Sequence, residues 1–203
     1  MLTSMLIFAL TLLGALPLAL PIAFGRMSKH APLRMFMQVY ISFMRGTPLM
    51  LQLLVVYFGP WFILKIPLSN GYRFYAAIIA FVLNYAAYFA EIYRAGIESI
   101  PRGQYEAAEV LGYSQGQTFW RIIFPQMVKR ILPPVTNEVI TLVKDTSLAF
   151  SIGVMEMFTM AKQIASAEKS MTALVAAAAF YYVFNAIVAW AMNRFERRLA
   201  YYR

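Results

Sequence analysis

PRGQYEAAEVLGYSQGQTFWRIIFP, residues 101–125, is the longest polar interruption in an otherwise apolar chain, and its reading decides the fold. Pro101 suits the first turn of a helix, where a missing N–H costs nothing. Residues 104–111 then read as a short helix closed by Gly112, the residue most tolerant of a left-handed cap. Ser114 and Gln117 have the spacing of a capping box for a second helix running to about Ile123, which Pro125 is expected to limit. Two short helices joined by a glycine corner form a compact knob, with long apolar segments on either side.

The knob also carries a pattern of wider significance. Glu106-Ala107-Ala108, then Gly112, then Ile122 and Pro125, resembles the signature of membrane subunits of ATP-binding cassette importers. Phe124 stands where that signature has leucine. The resemblance implies that the short helix docks in a groove of a separate ATPase and passes its motion to the membrane helices. Small alanines permit close approach, and a helix seated in a groove is a recurrent mode of recognition. Without the resemblance, the same stretch reads as an ordinary amphipathic loop. Residues 87–97, AYFAEIYRAGI, are similar to the same family just before its coupling loop, and Arg45-Gly46-Thr47-Pro48-Leu49 resembles a motif of its polar amino-acid branch.

Composition leads to the membrane independently. Of 203 residues, 61% are hydrophobic and 13% charged, against about 25% charged in soluble domains. The net charge of +9 would suggest nucleic acid in a soluble protein. Here the cations are spread between apolar spans and are better explained by membrane orientation. Cysteine is absent and His30 is the single histidine, which excludes disulfides and Cys/His metal sites.

Taken in order, the chain is expected to be an all-α integral membrane protein, a single permease domain over residues 1–203. Its five spans fall at about residues 2–25, 40–64, 74–93, 133–155 and 171–193, each near the 20 residues a bilayer requires. Residues 2–25 lack the basic start of a signal peptide. Residues 26–38 read as a basic loop, and Gly46 with Pro48 suggests a local break in the second span. Residues 65–73 are a turn-rich loop with Pro67, Asn70 and Gly71, Pro133-Pro134 opens the fourth span, and residues 156–170 are a polar connection. Residues 94–132, between the third and fourth spans, form the coupling loop. The predicted loops and tail on one side hold most of the cations, including Arg26, Lys29, Arg34, Arg102, Arg121 and the arginines at 194, 197, 198 and 203. The other side holds only Lys65, Arg73, Lys162 and Lys169. The positive-inside rule therefore puts the N-terminus outside and the knob and tail in the cytoplasm.

Lys144-Asp145-Thr146-Ser147 lies inside the fourth expected span. A charge at the centre of a membrane helix costs about 2.5–3.5 kcal/mol on insertion scales, so such residues usually face a bundle interior or a wet cavity. Neighbouring residues project about 100° apart, so the two charges do not neutralise one another directly. One reading is a structural ion pair with another helix. The other is a zwitterion site, with Lys144 near a carboxylate and Asp145 near an ammonium. In that reading Thr146 and Ser147 cap a broken helix whose free N–H groups also favour a carboxylate. KDTSL, through Leu148, resembles the corresponding stretch of polar amino-acid permeases, which implies a substrate pocket near mid-membrane; Asn84 and Tyr88 of the third span are expected to wall that cavity in part.

The resemblance thus implies a permease subunit of the type I importer fold in a bacterial inner membrane, surrounded by lipid, carrying a polar or charged amino acid. It implies a second permease subunit, identical or homologous, an extracytoplasmic amino-acid-binding protein, and partner ATPases that hold ATP and Mg. No G-x-x-x-x-G-K-[ST] phosphate loop is present, so no cofactor and no enzymatic activity is expected of this chain. Nucleic acid is not an expected partner. A stand-alone secondary transporter or a non-transporting scaffold are the competing readings. The first leaves the knob unexplained and the second leaves Lys144-Asp145 unexplained.

Overall fold

The computed structural model describes residues 1–69 and 71–199, and these are helical apart from turns and connections. Helix α1 spans Leu2–Arg26, α2 Ala31–Gly46, α3 Leu49–Leu64 and α4 Tyr72–Glu98. Helices α5, Arg102–Val110, and α6, Gln115–Thr118, form the knob. A π turn, Phe119–Ile123, leads into α7, Phe124–Asp145, and a 3-10 segment, Thr146–Ile152, follows. Helix α8 is Met157–Glu168 and α9 is Thr172–Leu199. Asn70 of the turn-rich loop and Arg203 of the basic tail lie outside the described residues.

The centre of the bundle is α4 against α1, where small residues dominate the interface. Ala15, Ala19 and Ala23 of α1 and Ala76, Ala77, Ala80, Ala86, Ala87 and Ala90 of α4 are buried. Small side chains let two helices approach closely, which gains dispersion contacts where no hydrophobic drive separates helix from lipid. Space is also tight where α4 meets α7. A Cβ built on Gly96 would stand 2.2 Å from Cγ2 of Ile131, so any larger residue there must displace Ile131.

Among the described residues, three helices are long and apolar enough to cross a membrane: α1, α4 and α9. The second expected span, 40–64, is broken where Gly46 and Pro48 suggest, into α2 and α3 bent by 111°, and taken together this pair is also long and apolar enough to cross. The expected basic loop at 26–38 is correspondingly shorter, because α2 already begins at Ala31 with a proline in its first turn. At the bend, Thr47 and Pro48 are extended, as a residue before proline prefers.

The second half of the chain departs further from expectation. Pro125 does not limit the second knob helix. The chain widens into the π turn, with Phe124 N–H reaching Phe119 O, and continues as α7. The wider turn directly before Pro125 takes up the clash its ring would otherwise make with a carbonyl four residues back. Pro133 and Pro134, expected to open a span, lie inside α7. The stretch expected as one helix over 133–155 ends as α-helix at Asp145, tightens into the 3-10 segment and turns at Gly153, whose φ is +73°. Residues 156–170, expected as a polar connection, are mostly helix α8, which packs Met157 and Ala161 against Ala177 of α9.

Candidate functional site: knob, helix break and a half-buried acid

The knob is built by short-range hydrogen bonds. Helix α5 closes with Tyr113 N–H on Ala108 O at 3.0 Å and Gly112 N–H on Glu109 O at 2.9 Å, with Gly112 at φ +74°. This double bond pattern around a left-handed residue is the Schellman motif. One residue later the Ser114 Oγ accepts from Gln117 N at 3.3 Å, and Ser114 N donates to Gln117 Oε1 at 2.9 Å. The corner is thus fixed on both sides. Gln126 of α7 donates to Gln104 Oε1 of α5 at 3.1 Å, tying the knob to the bundle.

The six residues of the knob signature divide by depth. Ala108 is buried and Ile122 half-buried, while Glu106, Ala107, Gly112 and Pro125 are exposed. Beyond them Val110 and Leu111 stand 87% and 72% exposed, large apolar side chains held out at the tip. Behind the tip lies a hollow of about 590 Å³ lined by Tyr105, Glu109, Tyr113 and Phe119 among others.

The break between α2 and α3 leaves carbonyls without helical partners, and in a membrane protein the surrounding structure must satisfy them. Gln52 does so, with Nε2 donating to Met44 O at 2.9 Å, Thr47 O at 3.1 Å and Thr47 Oγ1 at 2.8 Å. Asn84 of α4 completes the group, donating to Met44 O at 3.1 Å and Gln52 Oε1 at 2.9 Å. The expectation for Asn84 is the wall of a substrate cavity. Its amide group is instead engaged in these two bonds, and it is buried at the break.

Asp145 ends α7 half-buried, and the Tyr85 hydroxyl of α4 donates to its Oδ2 at 2.7 Å. Lys144 projects away and is exposed. Thr146 is buried and Ser147 half-buried, and their hydroxyls donate to Val143 O at 2.8 Å and Lys144 O at 2.7 Å. Both therefore serve the carbonyl end of α7 rather than the set of free N–H groups that their sequence suggests. Leu148 packs partly into the core. Tyr88 lies one turn from Tyr85, with ring centroids 6.3 Å apart.

Tyr88 also lines a cleft of about 410 Å³ with Arg45, Glu91, Arg130 and Glu138. The Arg45 guanidinium sits 5.4 Å from the centre of the Tyr88 ring, a cation–π distance. Glu138, which no sequence pattern marks, stands seven residues before Asp145, on the same face of α7. Glu91 and Arg94 pair as their spacing suggests, and Arg94 also reaches Glu98. Arg130 donates to Ser99 O, fastening α7 to the end of α4.

A second buried acid lies where a polar connection is expected. Glu156 is fully buried and accepts from Phe158 N at 2.7 Å, Thr159 N at 2.6 Å, Thr159 Oγ1 at 2.9 Å, Tyr181 OH at 3.0 Å and Ser4 Oγ at 3.4 Å. It caps α8 and joins α1 to α9. Its signal in the sequence is one acid inside the apolar run Val154-Met155-Glu156-Met157-Phe158. Among the described residues, no three acidic or histidine side chains gather as a metal-binding group.

Comparison with known proteins places this architecture. Residues 15–201 match the family model of binding-protein-dependent transport system inner membrane components. The L-cystine transport system permease protein TcyB of Bacillus subtilis (strain 168) is 40% identical over 188 residues, covering 91% of this chain and 78% of that protein. The L-cystine permease protein TcyL of the same organism is 39% identical over 200 residues, covering 97% and 84%. A crystal structure of an amino acid ABC transporter with histidines superposes with a TM-score of 0.86 at 32% identity, over 98% of this chain and 91% of that one.

Proposed function

The chain belongs to the family of binding-protein-dependent transport system inner membrane components, and from that premise we propose that it is the membrane-spanning subunit of an amino-acid importer driven by a separate ATPase. The observation that carries this reading is the knob, a rigid corner that holds Val110 and Leu111 out from the bundle. An apolar tip on a fixed short helix is the form that a groove on a partner accepts. The cystine permeases and the amino-acid transporter described above support the substrate class.

In this reading the chain crosses the membrane five times, through α1, the bent pair α2–α3, α4, α7 with its 3-10 extension, and α9, and pairs with a second permease subunit. An extracytoplasmic binding protein delivers the amino acid, and ATP and Mg are held by the ATPase. The asymmetry of basic residues supports an N-terminus outside and a cytoplasmic knob. In this cysteine-free chain, Tyr113→Cys is expected to react with an impermeant thiol reagent only from the cytoplasmic side. Labelling from outside would reverse the orientation and remove the knob from reach of an ATPase.

The substrate site is proposed around Asp145, which Tyr85 positions to meet an ammonium. Lys144 is the expected partner of the carboxylate, Thr146, Ser147 and Leu148 shape the turn between them, and Tyr88 lies beside it. Asn84 acts from behind, by holding the α2–α3 break. Arg45 is a second candidate for the carboxylate, because it shares the cleft with Glu138 and Tyr88. Removing one partner of a desolvated charged contact costs about 2–5 kcal/mol, roughly thirtyfold or more in affinity. Asp145→Asn is therefore expected to cut ATP-driven uptake in proteoliposomes while the complex still assembles. If the double variant with Lys144→Gln regains uptake, the pair is a structural one and the site lies elsewhere.

A further inference from the structure

Helix α9 has a face that the transport reading leaves unused. Val183, Ile187 and Trp190 are 53%, 60% and 68% exposed, and Arg194, Arg197 and Arg198 follow them, exposed as well. At 3.6 residues per turn all six side chains fall within an arc of about 100°. Glu196, the one acid nearby, is two residues from Arg194 and Arg198 and points to the opposite side. Among the described residues the ion pairs involve Arg94, and none of these three arginines has an acidic partner there. A hollow of about 410 Å³ runs along Trp190, Asn193 and the three arginines.

The depth of the change from apolar to cationic is also defined. Twenty-one residues from Thr172 to Met192 rise about 31 Å as α-helix, close to the roughly 30 Å hydrocarbon core of a bilayer. Trp190 therefore falls in the last apolar turn, where tryptophan favours the interface. The arginines follow at headgroup level.

We propose that this face of α9 binds an anionic phospholipid, with acyl chains along Val183 and Ile187, the glycerol region at Trp190, and the phosphate between Arg194, Arg197 and Arg198. Guanidinium groups form forked hydrogen bonds to phosphate oxygens, and cations at the membrane surface attract anionic headgroups. A soluble partner reaches the arginines but not Val183 and Ile187 within the hydrocarbon. A lipid is the ligand whose apolar and anionic parts match both halves at this depth. The inference needs the chain in a membrane and is independent of its substrate.

The test uses the assembled complex in nanodiscs, with Trp61→Phe and Trp120→Phe making Trp190 the sole tryptophan of this chain. The partner subunits' tryptophans are replaced in the same way. Fluorescence quenching by brominated phosphatidylglycerol is compared with brominated phosphatidylcholine at equal mole fraction. The expected result is preferential quenching by the anionic lipid, with about fivefold in preference attributable to each arginine. The preference should vanish in Arg194→Gln/Arg197→Gln/Arg198→Gln and persist when the three are lysines. Equal quenching by both lipids in the parent protein would overturn the proposal, leaving plain lipid exposure. Quenching by neither would also overturn it, showing that another subunit covers the face. Uptake by the same variants reconstituted in proteoliposomes keeps either failure separate from the transport reading.

Discussion

The knob and the polar cluster around Glu156 are both fixed by hydrogen bonds, but across very different lengths of chain. In the knob the defining bonds join Ser114 to Gln117 and Ala108 to Tyr113, all within one short segment. Around Glu156 they join Ser4 and Tyr181 to the start of α8, and the Tyr85–Asp145 and Asn84–Gln52 bonds are likewise between separate helices. The knob is therefore shaped by its own sequence and can change with little consequence for the bundle. The buried cluster is part of how the bundle is assembled, so a change there reaches several helices at once.

The largest effect that this contrast predicts is at Glu156. Truncating it to alanine strands four donors, since the Thr159 hydroxyl can still donate to Val154 O at 2.9 Å, and each buried group left unsatisfied costs about 1–3 kcal/mol. Glu156→Ala is expected to lower the melting temperature of the purified complex more than any substitution in the knob, or to prevent accumulation. Glu156→Gln keeps an acceptor oxygen and should lose less. A melting temperature for Glu156→Ala equal to the parent's would mean that the carboxylate does not hold α1, α8 and α9 together.

A smaller effect is expected at the α4–α7 crossing. Gly96→Val puts a side chain where Ile131 and Met127 already stand, and overpacking of this kind costs about 1–3 kcal/mol. Because the two side chains compete for one space, Ile131→Ala should restore part of the loss in the double variant. Additive losses would show that the helices do not meet there.

The same contrast explains what is legible in the sequence. Gly112, Ser114 and Gln117 act on neighbours within a few residues, so their spacing alone specifies the knob. Gly46 and Pro48 signal the break between α2 and α3 for the same reason, although its 111° bend depends on packing against other helices. Pro125 and Pro133-Pro134 mislead, because a π turn lets the helix run through the first and α7 carries the other two in its interior. Glu156 reads as a solvated loop residue because its partners Ser4 and Tyr181 are distant in sequence. Asn84 reads as pocket-lining for a similar reason, since the carbonyl it satisfies belongs to Met44. Asp145 stands out in the sequence as a charge inside an expected span, but nothing nearby in sequence marks Tyr85 as its partner.

Gly112→Val tests the account most directly, because it concerns the knob alone. A Cβ at Gly112 meets nothing within 4 Å, so the substitution acts only through the left-handed backbone, a strain of about 1–2 kcal/mol. The measurement is ATP-driven amino-acid uptake per ATP hydrolysed in proteoliposomes containing the complex, with melting followed on the same preparation. The account predicts melting of the bundle close to the parent's, together with loss of the ATPase subunit or hydrolysis that no longer drives uptake. Normal ATPase association with normal uptake per ATP would contradict it, because the knob would then not be the element that couples this chain to its motor.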